Sequence, residues 1–194
     1  MKHQSSMERL FEESIQTKQQ VIETNILIDL EKMGDEIFDA IKLGNKIMLC
    51  GNGGSAATAS HFANDLSIGT KCRSNPFKTL SLTDNIPIIT AIGNDFGYEN
   101  IFLRQLDIYG NSNDVLVAIS ASGNSENIIK AFQYAKSHQI KTVAVTAFDG
   151  GKMRKITDEF VHFQTEPKEY SPAEDLHMIL DHLVGNYLMR FVSM

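Results

Sequence analysis

Lys46-Ile-Met-Leu-Cys50 runs directly into Gly51-Asn-Gly-Gly54 and Ser55. An apolar run this short, without polar alternation, reads as a strand buried on both faces, and the glycines after it read as a tight turn. Gly44-Asn45 ends a helical stretch just before it, and Ser55 to Leu66 resumes helical spacing just after it. The same order of strand, turn and helix recurs at Thr79 to Leu82, Val115 to Ser120 and Thr142 to Thr146, and Phe160 to Phe163 adds an edge strand. Such alternation predicts an α/β fold: three layers, α/β/α, around a mostly parallel five-stranded sheet.

Upstream, Leu10, Phe11, Ile15, Val21, Ile22, Ile26, Leu30, Met33, Ile37 and Ile41 recur at helical spacing, which predicts two helices or one bent helix from about Ser5 to Leu43. Downstream, the polar stretch Thr165 to Pro172 precedes a long helix over Ala173 to Phe191. The chain of 194 residues thus divides into a helical arm, 1–44, and an α/β core, 45–194, within one domain. Hydrophobic residues at 42% and charged residues at 22% are ordinary for a globular protein. The net charge of -6 opposes a binding mode that neutralises many backbone phosphates, so nucleic acid is not an expected partner. No apolar run approaches the roughly 20 residues of a membrane span, and the amino terminus lacks a secretion signal. Cys50 and Cys72 form neither a zinc-ribbon spacing nor a disulfide framework, and a cytoplasmic protein is expected.

Ligands of open parallel sheets bind beyond the carboxyl ends of the strands. Two turns hold that position. In Gly51-Asn-Gly-Gly-Ser55, small residues admit a ligand to the backbone, while Asn52 and Ser55 offer side-chain hydrogen bonds. In Ser120-Ala-Ser-Gly-Asn-Ser125, three hydroxyls precede a helix whose exposed N–H groups and dipole attract an anion. Either turn alone could be an ordinary helix cap. Two on one sheet edge favour a phosphate, and neither matches the P-loop or dinucleotide spacing. His61 and Asp65 share one helix face, and Glu174, His177 and His182 lie on the last helix. Taken alone such residues are usually polar surface groups; brought together, two imidazoles and two carboxylates would form a zinc site or an acid/base pair.

The strings Cys50-Gly-Asn-Gly-Gly-Ser-Ala-Ala57, His61-Phe-Ala63, Ala91-Ile-Gly-Asn-Asp-Phe-Gly97, Ile119-Ser-Ala-Ser-Gly-Asn-Ser125 and Asp149-Gly-Gly-Lys-Met153 together resemble the phosphoheptose isomerases, members of the sugar isomerase (SIS) domain superfamily. The resemblance spans nearly the whole chain. It implies a ketose–aldose isomerase that converts sedoheptulose 7-phosphate to D-glycero-D-manno-heptose 7-phosphate on the way to bacterial surface polysaccharide. It also implies a homotetramer with active sites shared between subunits and zinc, one per subunit. By this resemblance the phosphate-binding hydroxyls fall on Ser55, Ser120, Ser122 and Ser125, with Ala121 among them; further substrate contacts fall on Asn52, Gly53, Gly54, Asn94, Asp95 and Glu174. The metal set falls on His61, Asp65, Glu174 and His182, with Asp65 and His182 as acid and base.

Three positions depart from the family pattern. Asp65 replaces a glutamate, Glu174 replaces a glutamine, and Ala121 replaces the threonine of a Ser-Thr-Ser string. Glu174 and Ala121 leave room for isomerisation of another ketose phosphate. A non-catalytic SIS module that binds phosphosugars or proteins, like the replication-initiator-associated relatives, is the alternative of a different class; it would lack the acid/base set formed by His61, Asp65 and His182.

Overall fold

The computed structural model describes residues 6–22, 26–71 and 76–192, and the side chains of 7–22, 26–71 and 76–190. Ser5, residues 23–25 of the helical stretch, the Phe191 side chain and Cys72 lie outside these. Among the described residues Cys50 is an unpaired thiol in the core.

Five strands, β1 (Lys46–Gly51), β2 (Lys78–Ser81), β3 (Val115–Ser120), β4 (Lys141–Ala147) and β5 (Glu159–Phe163), form one sheet in the order β2-β1-β3-β4-β5, and every pairing is parallel. The expected edge strand is therefore present. Successive side chains of a strand point to opposite faces. Ile47, Leu49, Val117 and Val145 face one layer, formed by α2 (Ile26–Lys42), α3 (Gly54–Asn64) and α8 (Tyr170–Val192). Met48, Cys50, Leu116 and Ala118 face the other, formed by α4 (Ile86–Phe96), α5 (Ile101–Tyr109), α6 (Glu126–Ser137) and the short α7 (Met153–Ile156). With both faces covered, the continuous apolar strands have the burial that their composition demands. Helix α1 (Ser6–Ile22) precedes α2 and touches the rest through α8, where Lys18 meets Asp175 at 2.5 Å.

Two carboxylates fasten the amino-terminal rim of the sheet. Asp114 accepts from the backbone N–H groups of Lys46 and Asn111, each at 2.8 Å, and pairs with the Lys46 ammonium; Asp158 accepts from the Thr142 N–H at 2.9 Å and its hydroxyl at 2.7 Å. These groups complete hydrogen bonds that the ladder leaves open at the strand starts. Helix α8 begins at Tyr170, three residues before the sequence-based start, because Pro172 sits in the first turn, where its missing N–H costs nothing.

Candidate active site

The strand order reverses between β1 and β3: the chain leaves β1 for β2 on one side, and β3 for β4 on the other. The turns that follow these two strands therefore diverge and leave a crevice at the carboxyl edge, the usual ligand position in such sheets. A pocket of about 210 Å³ opens there, lined by Asn52, Ser55, Ser120, Ala121, Ser122, Ser125, Tyr170 and Glu174. Ser125 occupies the N-cap of α6, where its carbonyl accepts from the Ile128 and Ile129 N–H groups while its hydroxyl makes no capping bond. Gly53, at φ 57°, turns the chain into α3, and the Glu174 carboxyl occupies the space that a side chain on Gly54 would need. The pocket thus joins hydroxyls and two helix amino-termini, a setting suited to a phosphate.

Two braces hold this pocket. Asn52 and Asn127 exchange amide hydrogen bonds of 3.0 and 2.8 Å, and the Tyr98 hydroxyl donates to the same Asn52 oxygen at 2.9 Å. Neither Asn127 nor Tyr98 stood out in the sequence, although Asn127 is an amide in the first turn of α6 among otherwise apolar inward positions. The second brace clamps the Ser120–Ser125 turn onto Asp149–Met153: the Met153 N–H donates to the Gly123 carbonyl at 3.0 Å, and the Lys152 N–H to the Asn124 side chain at 3.2 Å. Gly123 (φ 61°) and Gly151 (φ 54°) face backbone of the opposing turn at distances that leave no room for a Cβ. Asn94 and Asp95 are exposed on α4, bonded to each other at 2.7 Å, and do not line the pocket.

The histidines and carboxylates meet farther along the same two helices. His61 lies in the last turn of α3, and Asp65 opens a π-helical turn, Asp65–Gly69, that continues it. Such a turn inserts a residue into helical register and is common at functional sites. His61 Nδ1 stands 3.8 Å from Asp65 Oδ2, and the His61 ring meets the His182 ring edge-on at 5.3 Å. The structure adds a residue that the sequence reading passed over, Asp181. It is fully buried, and its Oδ2 lies 2.6 Å from His61 Nδ1. The hydrogen bond to Asp181 raises the His61 pKa, while burial raises that of Asp181 itself. A signal for Asp181 existed: it falls in the stripe Leu176, Leu180, Val184 and Leu188 that packs on the sheet, where an acid needs a partner.

His61, Asp65, Asp181 and His182 each offer a ligand atom within 4.8 Å of all the others. Imidazole nitrogens and carboxylate oxygens are a fitting donor set for zinc. Glu174, expected both in that set and among the substrate contacts, is not part of this group and lines the hydroxyl pocket. His177 is also apart, wholly buried against Phe163.

A hydroxyl-lined crevice at the switch point, followed along the same helices by a histidine–carboxylate cluster, characterises a protein that handles phosphorylated sugars. Residues 10–147 match the family model described as SIS domain. Curated phosphoheptose isomerases are similar over most of the chain: that of Akkermansia muciniphila is 39% identical, covering 84% of this chain and 85% of its own, and that of Helicobacter pylori strain 26695 is 34% identical, covering 92% and 88%. The solved phosphoheptose isomerase of Neisseria gonorrhoeae superposes with a TM-score of 0.84 at 32% identity, covering 95% of this chain and 98% of that one. The chain belongs to the phosphoheptose isomerase family of SIS-domain proteins, and is accordingly a phosphosugar isomerase. Among the described residues no helix is long and apolar enough to cross a membrane.

Proposed function

We propose that the chain converts sedoheptulose 7-phosphate to D-glycero-D-manno-heptose 7-phosphate through an enediol. The observation that carries this reading is the spacing of the two halves of the site on α3 and α8. Ser55 and His61 are six residues apart, and Glu174 and His182 are eight apart, which at 1.5 Å per residue means about 9 and 12 Å. An extended seven-carbon chain with a terminal phosphate, at about 1.2 Å per bond, spans about 10 Å. A phosphate seated among Ser55, Ser120, Ser122 and Ser125 therefore brings the opposite, carbonyl end of the sugar to the cluster.

In this reading Asp65 removes the proton from the carbon beside the carbonyl, and His182 moves the proton that completes the shift of the double bond. Asn52, held by Asn127 and Tyr98, and Glu174 orient sugar hydroxyls. Asn94 and Asp95, exposed on α4 and outside the pocket of their own chain, are assigned to the site of a neighbouring subunit in a homotetramer that shares its active sites. Zinc, held by His61, Asp65 and His182, would supply polarisation of the sugar's carbonyl and hydroxyl oxygens.

Incubation of the purified protein with sedoheptulose 7-phosphate, with and without added zinc, tests the proposal. The aldose product is expected, and faster with zinc. Binding without conversion under both conditions would assign the chain to the sensor class, and turnover of another ketose phosphate alone, assayed in parallel, would overturn the choice of substrate.

A further inference from the structure

Asp181 has no part in the reaction as written above, yet it is buried at a position where a carboxylate is costly. None of its surface is exposed, and Oδ1 has no hydrogen-bond partner. Leaving a buried acceptor unsatisfied costs about 1–3 kcal/mol, more for a charged group. An aliphatic side chain would suit the stripe between Leu180 and Val184 better.

Two roles are compatible with its position beside His61: ligand to a cation, or anchor of a ligand. The distance decides between them. Two donors bound tetrahedrally to one zinc, each at about 2.0–2.2 Å, stand about 3.4 Å apart. Asp181 Oδ2 and His61 Nδ1 are 2.6 Å apart, the length of a charge-assisted hydrogen bond. At that length they stand as hydrogen-bond partners, closer than two ligands of one ion, which favours the anchor. Asp65, at 3.8 Å from that nitrogen, is too far to compete for its proton. In the neutral ring, a nitrogen that donates to a carboxylate carries the hydrogen, and the other nitrogen carries the lone pair.

We propose that Asp181 is the positioning residue of His61: it keeps the proton on Nδ1, fixes the ring against α8, and so presents Nε2 as the atom that takes a divalent cation. This rests on the zinc reading above and deepens it. A carboxylate behind a ligating histidine typically changes metal affinity 10- to 100-fold.

The experiment combines zinc titration against a chromogenic chelator with nitrogen NMR of the histidine rings in the metal-free protein. Wild type, Asp181→Asn, His61→Ala and the double variant are compared. The carboxamide is close to isosteric, and unlike the carboxylate it can donate to Nδ1. Asp181→Asn is expected to weaken zinc binding about 10- to 100-fold and to move His61 from the Nδ1–H toward the Nε2–H tautomer. In the His61→Ala background the same substitution is expected to change zinc affinity by less than about threefold, since its route of action is gone. Thermal unfolding keeps the readings interpretable: a cooperative transition in each variant shows that it is folded, so a change in zinc affinity or tautomer is read on the native state. The proposal is overturned if Asp181→Asn leaves affinity and tautomer unchanged. It is equally overturned if the substitution weakens zinc binding as strongly without His61 as with it, which would make Asp181 a direct ligand. A wild-type protein that takes up no zinc would sink the metal reading, and the tautomer alone would then decide whether Asp181 holds His61.

Discussion

His177 shows at a single residue how burial sets a charge state. Neither ring nitrogen has a hydrogen-bond partner of good geometry, and desolvation pushes its pKa down to about 4, with the Thr146 carbonyl offsetting part of the effect. The folded protein thus holds a neutral ring, whereas the unfolded chain protonates it near its ordinary 6.5. Stability from this group is fully present above pH 6.5 and is lost as pH falls from there to about 4, a total of about 3 kcal/mol at 1.36 kcal/mol per unit. Urea unfolding at matched protein concentration should show a loss of about 2 kcal/mol between pH 7 and pH 5, and His177→Leu should remove that loss; an unchanged pH dependence in the variant would exclude His177 as its source. Asp65 carries the chemistry in the proposed reaction, so Asp65→Asn should lower kcat by about 10²- to 10⁴-fold with a much smaller change in KM. Full turnover in that variant would remove the assignment. The sequence pointed to His61, Asp65 and His182 through their spacing and the resemblance; for Asp181 it offered only an acid in an apolar stripe, and spacing along one helix does not reveal that another helix places His61 beside it.

At the scale of elements, the strands were legible because buried parallel strands are unbroken apolar runs, and Lys46–Cys50, Val115–Ser120 and Thr142–Thr146 have that form. The π-helical turn at Asp65–Gly69 was not legible: Ser55 to Leu66 has ordinary helical periodicity, which does not mark where a turn widens. The glycine brace was half legible. Asp149-Gly-Gly-Lys-Met153 stood out as a motif, but its partner, the Ser120–Ser125 turn, is known only from the fold. At Gly123 a Cβ would overlap the Gly150 carbonyl, and φ is 61°. Gly123→Ala should therefore cost at least about 2 kcal/mol from left-handed backbone strain and overpacking together. It should also weaken binding of inorganic phosphate, because the hydroxyl turn loses its clamp. Wild-type stability and phosphate affinity in the variant, measured by calorimetry, would show that the two turns are not rigidly joined.

The whole molecule leaves much apolar surface on its helical arm. Among the described side chains of α1 none is fully buried, and Met7, Leu10, Phe11 and Ile15 are exposed. An isolated helix of this length is marginal in water, and among the described residues the face of α1 that carries Met7, Leu10, Phe11 and Ile15 has no cover, although the helix touches α8. An apolar groove of about 240 Å³ between α2 and α8, lined by Leu27, Leu30, Leu183, Val184 and Tyr187, is a second uncovered face. Further copies of the chain are the cover that the proposed tetramer supplies. Phe11→Asp should accordingly shift sedimentation from a tetramer to smaller species and lower turnover in parallel; a wild-type protein that sediments as a fully active monomer would refute shared sites. The carboxylates Asp114 and Asp158 lock the amino-terminal rim of the sheet, at the edge opposite the one where the pocket opens. Asn111, Ser112 and Asn113 form an exposed turn on that rim. It is a natural handle for a dye or a surface tether, and a molecule attached there would keep its crevice turned toward the solution.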